Sequence, residues 1–284
     1  MTLHFRCPVC AAPLSGGKTL VCPNRHSFDR ARCGYVNLLL SNASKTQHGD
    51  DRAMVAARRA FLERGYYRPI LRAVLDAATP CCPAGCRVLD AGCGEGWYTA
   101  ELARALTDGG LGFSLLGVDI SKEALRAAAG RLRMYGVGLT GNFDLAVASV
   151  FHLPVADRSC DLVLSLFAPC APAEFARVLT PNGVLLRVVP AARHLWSLKR
   201  AVYGQPYEND EDDGRLEGFS PAERVRIRER LELDRNEDVR LLFAMTPYSF
   251  KTSPSDLAKL EKIHKISVEL ACDLLLYRKL AEFS

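Results

Sequence analysis

"VLDAGCGEGWYT", residues 88–99, is the stretch on which the fold class turns. Val88 and Leu89 lead into Asp90, glycines follow at 92, 94 and 96, and a helical pattern begins at Trp97. Glycines let the backbone turn sharply and let a ligand approach the main chain, and the helix start that follows offers unpaired N–H groups. A dinucleotide fold wants G-x-G-x-x-G, with the last glycine one residue later. The spacing here is G-x-G-x-G, set between two acids, Asp90 and Glu95.

An acid-lined loop suits a pyrophosphate poorly. It suits a ligand that bears an ammonium group, such as the methionine moiety of S-adenosylmethionine. The next strand ends in "GVDIS" (117–121), placing Asp119 where one carboxylate can accept both hydroxyls of a ribose. That acid is common to dinucleotide and S-adenosylmethionine folds and does not separate them.

Working outward, strands and helices alternate. The pattern predicts strands over 88–91, 115–120, 145–148, 162–167 and 184–189. It predicts helices over 97–106 and from the Ser121 N-cap to about Arg133, with Glu123 in the first turn. This alternation argues for an α/β, Rossmann-like fold: a mostly parallel sheet with helices on both faces. Residues 225–231 and 268–276 repeat with a period of two and read as an antiparallel edge. Upstream, 52–64 reads as a helix, preceded by the polar stretch "SNASKTQHGDD" (41–51), which reads as a linker.

The first forty residues have another character. Cys7 and Cys10 are separated by two residues and Cys22 and His26 by three, with Pro13, Gly16 and Gly17 between the pairs. Two such knuckles can converge on the tetrahedral geometry of zinc. Cys33 is a substitute ligand but lacks a paired neighbour. Four protein ligands close the site, so the zinc is expected to be structural. A segment this short cannot bury enough apolar area to fold unaided. The expected organisation is a zinc module over 1–40, a linker over 41–51 and a large domain over 52–284.

The chain of 284 residues holds 11 cysteines and shows no leading apolar segment, so reduced thiols and a cytoplasmic location are expected. No apolar run approaches the ~20 residues of a spanning helix, so no membrane partner is expected. The net charge of +5 is compatible with a polyanionic partner. The sequence leaves a homodimer open.

These elements together resemble the class I S-adenosylmethionine-dependent methyltransferases. "SVFHLPVADRSCDLVLS" (149–165) adds to the likeness through Leu153, Pro154, Asp157, Ser159 and Asp161. A narrower likeness spans almost the whole chain: the zinc cluster, "GYVNLL" (34–39), "ARRAFLERGYYRP" (57–69), "FAPC" (167–170), "ARVLTPNG" (176–183), "RHLWSLK" (193–199) and "MTPYSF" (245–250). In that order they resemble the RlmA family of 23S rRNA (guanine-N1)-methyltransferases.

The resemblance implies methyl transfer from S-adenosylmethionine to N1 of a guanine in a 23S rRNA hairpin. It also implies a zinc module that contacts the RNA, and Tyr67, Gly96, Trp97 and His194 touching the cofactor. Asp90, Gly92, Gly94 and Asp119 complete the expected cofactor set. Arg6, Lys18, Arg25, Arg30 and Arg32 make the module basic, and Phe5, Phe28 and Tyr35 are candidates for base stacking. Arg58 and Arg59 are further candidates for phosphate contacts. Phe167 is placed to stack on the target guanine. His194 and Glu174 are candidate general bases, and nothing marks Cys170 as a nucleophile. Two alternatives remain at this point: a small-molecule methyltransferase, and an inactive RNA-binding protein of the same fold.

Overall fold

The computed structural model describes residues 3–40, 49–136 and 142–280. Strands β1 (Thr19–Val21) and β2 (Ser27–Asp29) form a small antiparallel hairpin. Strand β3 (Val36–Asn37) is followed by helices α1 (Arg52–Glu63) and α2 (Arg68–Ala78). Then come β4 (Cys86–Ala91), α3 (Trp97–Asp108), β5 (Phe113–Asp119), α4 (Lys122–Met134), β6 (Asn142–Val147) and β7 (Cys160–Leu166). The chain continues through α5 (Pro172–Val178), β8 (Leu179–Pro190), α6 (Trp196–Val202), β9 (Phe219–Leu233), α7 (Asn236–Ala244), α8 (Pro254–Leu260) and β10 (Ile266–Lys279). Local chemistry sets the helix starts: Asp51 accepts the Met54 N–H at the head of α1, and Ser121 accepts the Ala124 N–H at the head of α4.

Eight strands share one sheet in the order β3-β6-β5-β4-β7-β8-β10-β9. Neighbours from β3 to β8 run parallel, and β10 pairs antiparallel with both β8 and β9. The predicted antiparallel edge is present. Strand β8 starts earlier than the apolar pattern suggests, because Leu179 pairs with Cys160 ahead of an irregularity in the ladder. Among the described residues no helix is long and apolar enough to cross a membrane.

Side-chain alternation sends successive residues of a strand to opposite faces. Val88, Leu115, Leu162, Leu164 and Leu186 join an apolar layer with α1 to α4, α6 and α7. Leu89, Leu116, Val163 and Leu185 join a second layer, in which α5 supplies Phe175 and Val178. The N-terminal segment adds a large share of that second layer, with Leu3, Phe5, Cys7, Leu14, Leu20, Cys22, Val36 and Leu38, and the segment after β6 adds Val150, Leu153 and Val155. Helices lie on both faces as expected, but α5 alone represents them on the second. One face is closed largely by the first forty residues.

This docking joins the metal-binding segment 1–40 to the core of the large domain. β3 pairs with β6, Phe5 bridges to Val155, and the Leu3 N–H donates to Ser114 Oγ at 3.0 Å. Arg30 forms a two-pronged ion pair with Asp144, at 2.5 and 2.6 Å. Arg30 is thus committed to the protein rather than to phosphate, and Phe5 and Tyr35 are buried rather than free to stack on bases. Of the expected linker, 41–48 lie outside the described residues. Gly49 to Asp51 pack on the large domain, with Ser121 Oγ donating to the Asp50 carbonyl at 2.6 Å.

A truncation inside the shared layer tests this arrangement. Phe5 is 2% exposed, and Phe5→Ala is expected to lower the unfolding free energy of the whole chain by about 3–5 kcal/mol in urea titrations. A loss under about 1 kcal/mol would mean that the N-terminal segment does not share the core.

Candidate cofactor pocket and metal centre

A cavity of about 430 Å³ opens where β4, β5 and β7 end. The glycine loop forms its floor. Gly92 has φ +92°, and a Cβ there would lie 2.5 Å from Ala168 Cβ, so loop and β7 end meet only because the residue is glycine. Gly96 has φ +77° and opens α3; a Cβ on it would lie 2.9 Å from Ala128 Cβ on α4. Gly96 therefore serves the packing of the two helices and does not line the cavity, whereas Gly92, Gly94 and Trp97 do.

Acids dominate the lining. Asp90 is 1% exposed; its Oδ2 accepts the Thr99 hydroxyl at 2.5 Å, and its Oδ1 has no partner among the described residues. Burial pushes its carboxyl up to about 7, against the Thr99 hydroxyl and with a further push from Asp119. Glu95 is 2% exposed and accepts from Arg131 Nε at 3.0 Å, while its Oε1 is likewise without a partner. Two buried, unpaired carboxylate oxygens in one cavity suit a cationic group with several N–H donors. Asp119 accepts the Gly94 N–H at 2.9 Å and the Ser121 N–H at 2.8 Å, one on each oxygen. Each oxygen keeps a lone pair, so the carboxylate is oriented and still able to accept two ribose hydroxyls. These residues fit S-adenosylmethionine, with the ammonium toward Asp90 and Glu95 and the ribose toward Asp119.

Sequence reasoning missed several lining residues, among them Asp50, Arg58, Tyr98 and Pro247. Asp50 and Pro247 are far from the glycine loop in sequence, and Arg58 resembles any surface arginine on an amphipathic helix. Arg59 does behave as one, pairing with Glu63 at 2.9 Å on the exposed side of α1.

Phe167 stands at the rim, 40% exposed, in a left-handed backbone conformation with φ +54°. Its N–H donates to the Val188 carbonyl at 2.9 Å. Tyr67 and His194 lie behind it: ring centres are 6.4 Å from Phe167 to Tyr67 and 6.2 Å from Phe167 to His194. Neither lines the cavity. His194 is 6% exposed, and its Nδ1 accepts the Ala271 N–H at 3.2 Å. A backbone amide can only donate, so the ring proton sits on Nε2, 3.4 Å from the Tyr67 hydroxyl.

Burial, helped by the Lys199 charge, lowers His194 to about 3. A neutral ring whose acceptor nitrogen is occupied cannot serve as general base. Glu174 does not serve either. It binds Arg177 and the Leu153 N–H and faces a separate crevice. Burial raises the Cys170 thiol, which rules against a nucleophilic thiolate.

The metal cluster is assembled by two turns. The Ala11 N–H donates to the Cys7 carbonyl at 2.8 Å, and the Cys22 N–H to the His26 carbonyl at 3.1 Å between β1 and β2. The donor atoms of Cys7, Cys10, Cys22 and His26 lie within 4.8 Å of one another. Cys10 and Cys22 sulfurs are 3.6 Å apart, and His26 Nδ1 is 3.5 and 3.4 Å from Cys7 and Cys22 sulfur. A tetrahedral zinc with ~2.3 Å bonds to sulfur needs ligand separations of ~3.5–3.8 Å. The Ala12 N–H, then Asn24, draw the Cys10 thiol down to about 6, toward the thiolate that zinc binds. The four residues fit zinc. Cys33 is not in the cluster.

Two outcomes follow. The purified chain should carry about one zinc, and its removal should lower the melting temperature of the whole chain, because Cys7 and Cys22 sit in the shared layer. A Cys22→Ser chain that keeps stoichiometric zinc would contradict this ligand set. Asp90, protonated below about pH 7, should hold an ammonium less well, so affinity for S-adenosylhomocysteine should weaken as pH falls from about 8 to about 6. Calorimetry in which the native chain is as insensitive to pH as Asp90→Asn would exclude that role.

Comparison with known proteins gives consistent results over most of the chain. Residues 5–46 match the family model described as "RlmA, N-terminal", and residues 88–183 match that described as "Methyltransferase domain". A Streptomyces fradiae 23S rRNA (guanine(748)-N(1))-methyltransferase is 37% identical over 280 residues, covering 94% of each chain. Proteins of Micromonospora griseorubida and Bacillus subtilis (strain 168), provisionally named 23S rRNA (guanine-N(1)-)-methyltransferases, are 36% and 30% identical, covering 89% and 97% of each chain. Among solved structures, a Bacillus halodurans methyltransferase-fold protein superposes with a TM-score of 0.51 at 15% identity, covering 74% of this chain and 99% of that one, which supports the fold alone. The glycine loop, the docked metal knuckles and these full-length relatives together establish that the chain belongs to the RlmA family of 23S rRNA (guanine-N1)-methyltransferases.

Proposed function

We propose that this chain transfers the methyl group of S-adenosylmethionine to N1 of an unpaired guanine in a 23S rRNA hairpin. The observation that carries the reading is Phe167, an exposed aromatic ring held at the rim of the acid-lined cavity. A ring there can stack on a base and hold it against the cofactor. Bound cofactor supplies an electrophilic methyl on a sulfonium, and the chain's own task is alignment. Asp90, Glu95 and Asp119 hold the cofactor, and Phe167, backed by Tyr67 and His194, sets the plane of the base. Residues 1–40 are proposed as an RNA-contacting unit continuous with the large domain rather than hinged to it.

The surface supports an RNA partner over a small molecule. A crevice of about 850 Å³ runs between the first metal knuckle and the segment after β6. Exposed Val9, Leu40 and Phe151 border it, with Arg6 and His152 alongside. Leu38 to Leu40 and Ala148 to Phe151 follow β3 and β6, at the same carboxyl end of the sheet as the cofactor cavity. Lys18, Arg25 and Arg32 are exposed nearby in sequence and suit phosphate contacts, unlike Arg30 and Arg58.

Phe167→Ala tests the reading. Loss of one base-stacking platform, about 1–3 kcal/mol, should lower rRNA methylation roughly five- to 150-fold while S-adenosylhomocysteine affinity holds. Primer extension on rRNA from a deletion strain complemented with either chain reports the N1-methylguanine stop. An undiminished stop with Phe167→Ala would remove the ring from base positioning, and no stop with the native chain would favour a small-molecule substrate.

A further inference from the structure

We infer that Arg58 is the anchor for the carboxylate of the cofactor's amino-acid end. The inference rests on S-adenosylmethionine as the ligand of the acid-lined cavity, and it starts from charge. Asp50, Asp90, Glu95 and Asp119 line the cavity, and Arg58 is the one cationic lining residue among the described residues. Acids alone suit a cation. The amino-acid end of S-adenosylmethionine is a zwitterion, and its carboxylate needs donors in a cavity that otherwise repels it.

Two main-chain donors of the glycine loop are already engaged, and the Tyr98 hydroxyl, the one buried lining hydroxyl without a partner among the described residues, carries no charge to offset a carboxylate. The Gly94 N–H is bound to Asp119 and the Gly96 N–H to the Cys93 carbonyl. Arg131 binds Glu95 and Glu63 and does not line the cavity.

Arg58 is held ready. It projects from α1 between Met54 and Leu62, one turn away on either side, and both also line the cavity. Its Nη1 is paired with Asp50, and its Nη2 donates to the Met245 carbonyl at 3.0 Å. These anchors come from segments nearly two hundred residues apart and fix the guanidinium plane from two sides. Two of five N–H donors are engaged in these bonds, which leaves the fork able to take a carboxylate. A Cβ on Gly94 would lie 3.9 Å from Arg58 Nη1, so the guanidinium hangs directly over the glycine loop. Its charge also reaches the acids beside the loop, where it opposes the upward push of burial on Glu95 and Asp119. A guanidinium fixed above the loop, in the cavity that also holds two unpaired acid oxygens, offers an α-amino acid group a partner for each of its charges.

The experiment compares S-adenosylmethionine with its decarboxylated form, which keeps the ammonium and sulfonium and lacks only the carboxylate. Isothermal calorimetry on the full chain reads both ligands. The native chain should prefer the carboxylated ligand by at least about tenfold, the scale of charge-assisted hydrogen bonds. Arg58→Gln should abolish that preference by weakening S-adenosylmethionine alone, and Arg58→Lys should retain part of it. Binding of the decarboxylated ligand shows that the variant is folded. Should Arg58→Gln not fold, Arg58→Lys carries the test, with a reduced preference expected. Equal weakening of both ligands, or an unchanged preference, would overturn the inference and leave Arg58 as a latch between Asp50 and Met245. A native chain that binds neither ligand would overturn the cofactor reading, and this inference with it.

Discussion

A parallel sheet hides strands that are apolar on both faces, so both faces need cover. Helices supply that cover on one side of this protein. On the other, beside α5 and the residues after β6, much of the cover is a segment of forty residues too short to fold by burial alone. Phe5, Leu14, Leu20 and Leu38 share one apolar layer with Leu89, Leu116, Ala146 and Leu185. The metal cluster fixes the turns that present those side chains, and the sheet supplies the area that they bury. Neither part is complete alone, and the Arg30–Asp144 ion pair locks their register at the β6 edge.

That arrangement fixes where RNA-facing chemistry can sit. Because β3 continues the sheet, the residues after it emerge at the same end as the glycine loop and Asp119. A metal-held knuckle and a cofactor cavity then share one sheet and one apolar core. The segment 153–161 is fastened in the same way. Arg177 binds the Leu153 and Val155 carbonyls and Asp157, and Arg87 binds Asp161. Acids that a motif reading assigns to a methyltransferase signature hold the strand connection in place here.

The cofactor cavity owes its character to desolvation. Carboxylates this deeply buried are costly unless a ligand or a donor satisfies them, and Asp90 and Glu95 each keep one oxygen unpaired. His194 shows the same physics with the opposite result. Burial and the Lys199 charge keep its ring neutral, the Ala271 amide takes its acceptor nitrogen, and the residue becomes a packing partner of Phe167. Cation and aromatic roles divide in the same manner. Arg58 turns inward, Arg59 outward and Arg30 toward Asp144, although in sequence all three look alike.

The sequence alone determined what depends on local spacing. Strand–helix alternation from Val88, the G-x-G-x-G turn, the Ser121 cap, Asp119 at a strand end and the Cys7, Cys10, Cys22, His26 set were all legible. Each is a matter of residues close together along the chain, where backbone geometry and ligand spacing leave few alternatives. The tertiary structure alone decided which face of the sheet the first forty residues cover, that Phe5 and Tyr35 are buried, and that His194 is neutral and occupied. It also brought Asp50, Arg58 and Pro247 to the cavity. Those outcomes depend on burial and on partners far away in sequence. A side chain's charge state and its role follow from what surrounds it in space, and residue type and spacing carry no record of those surroundings.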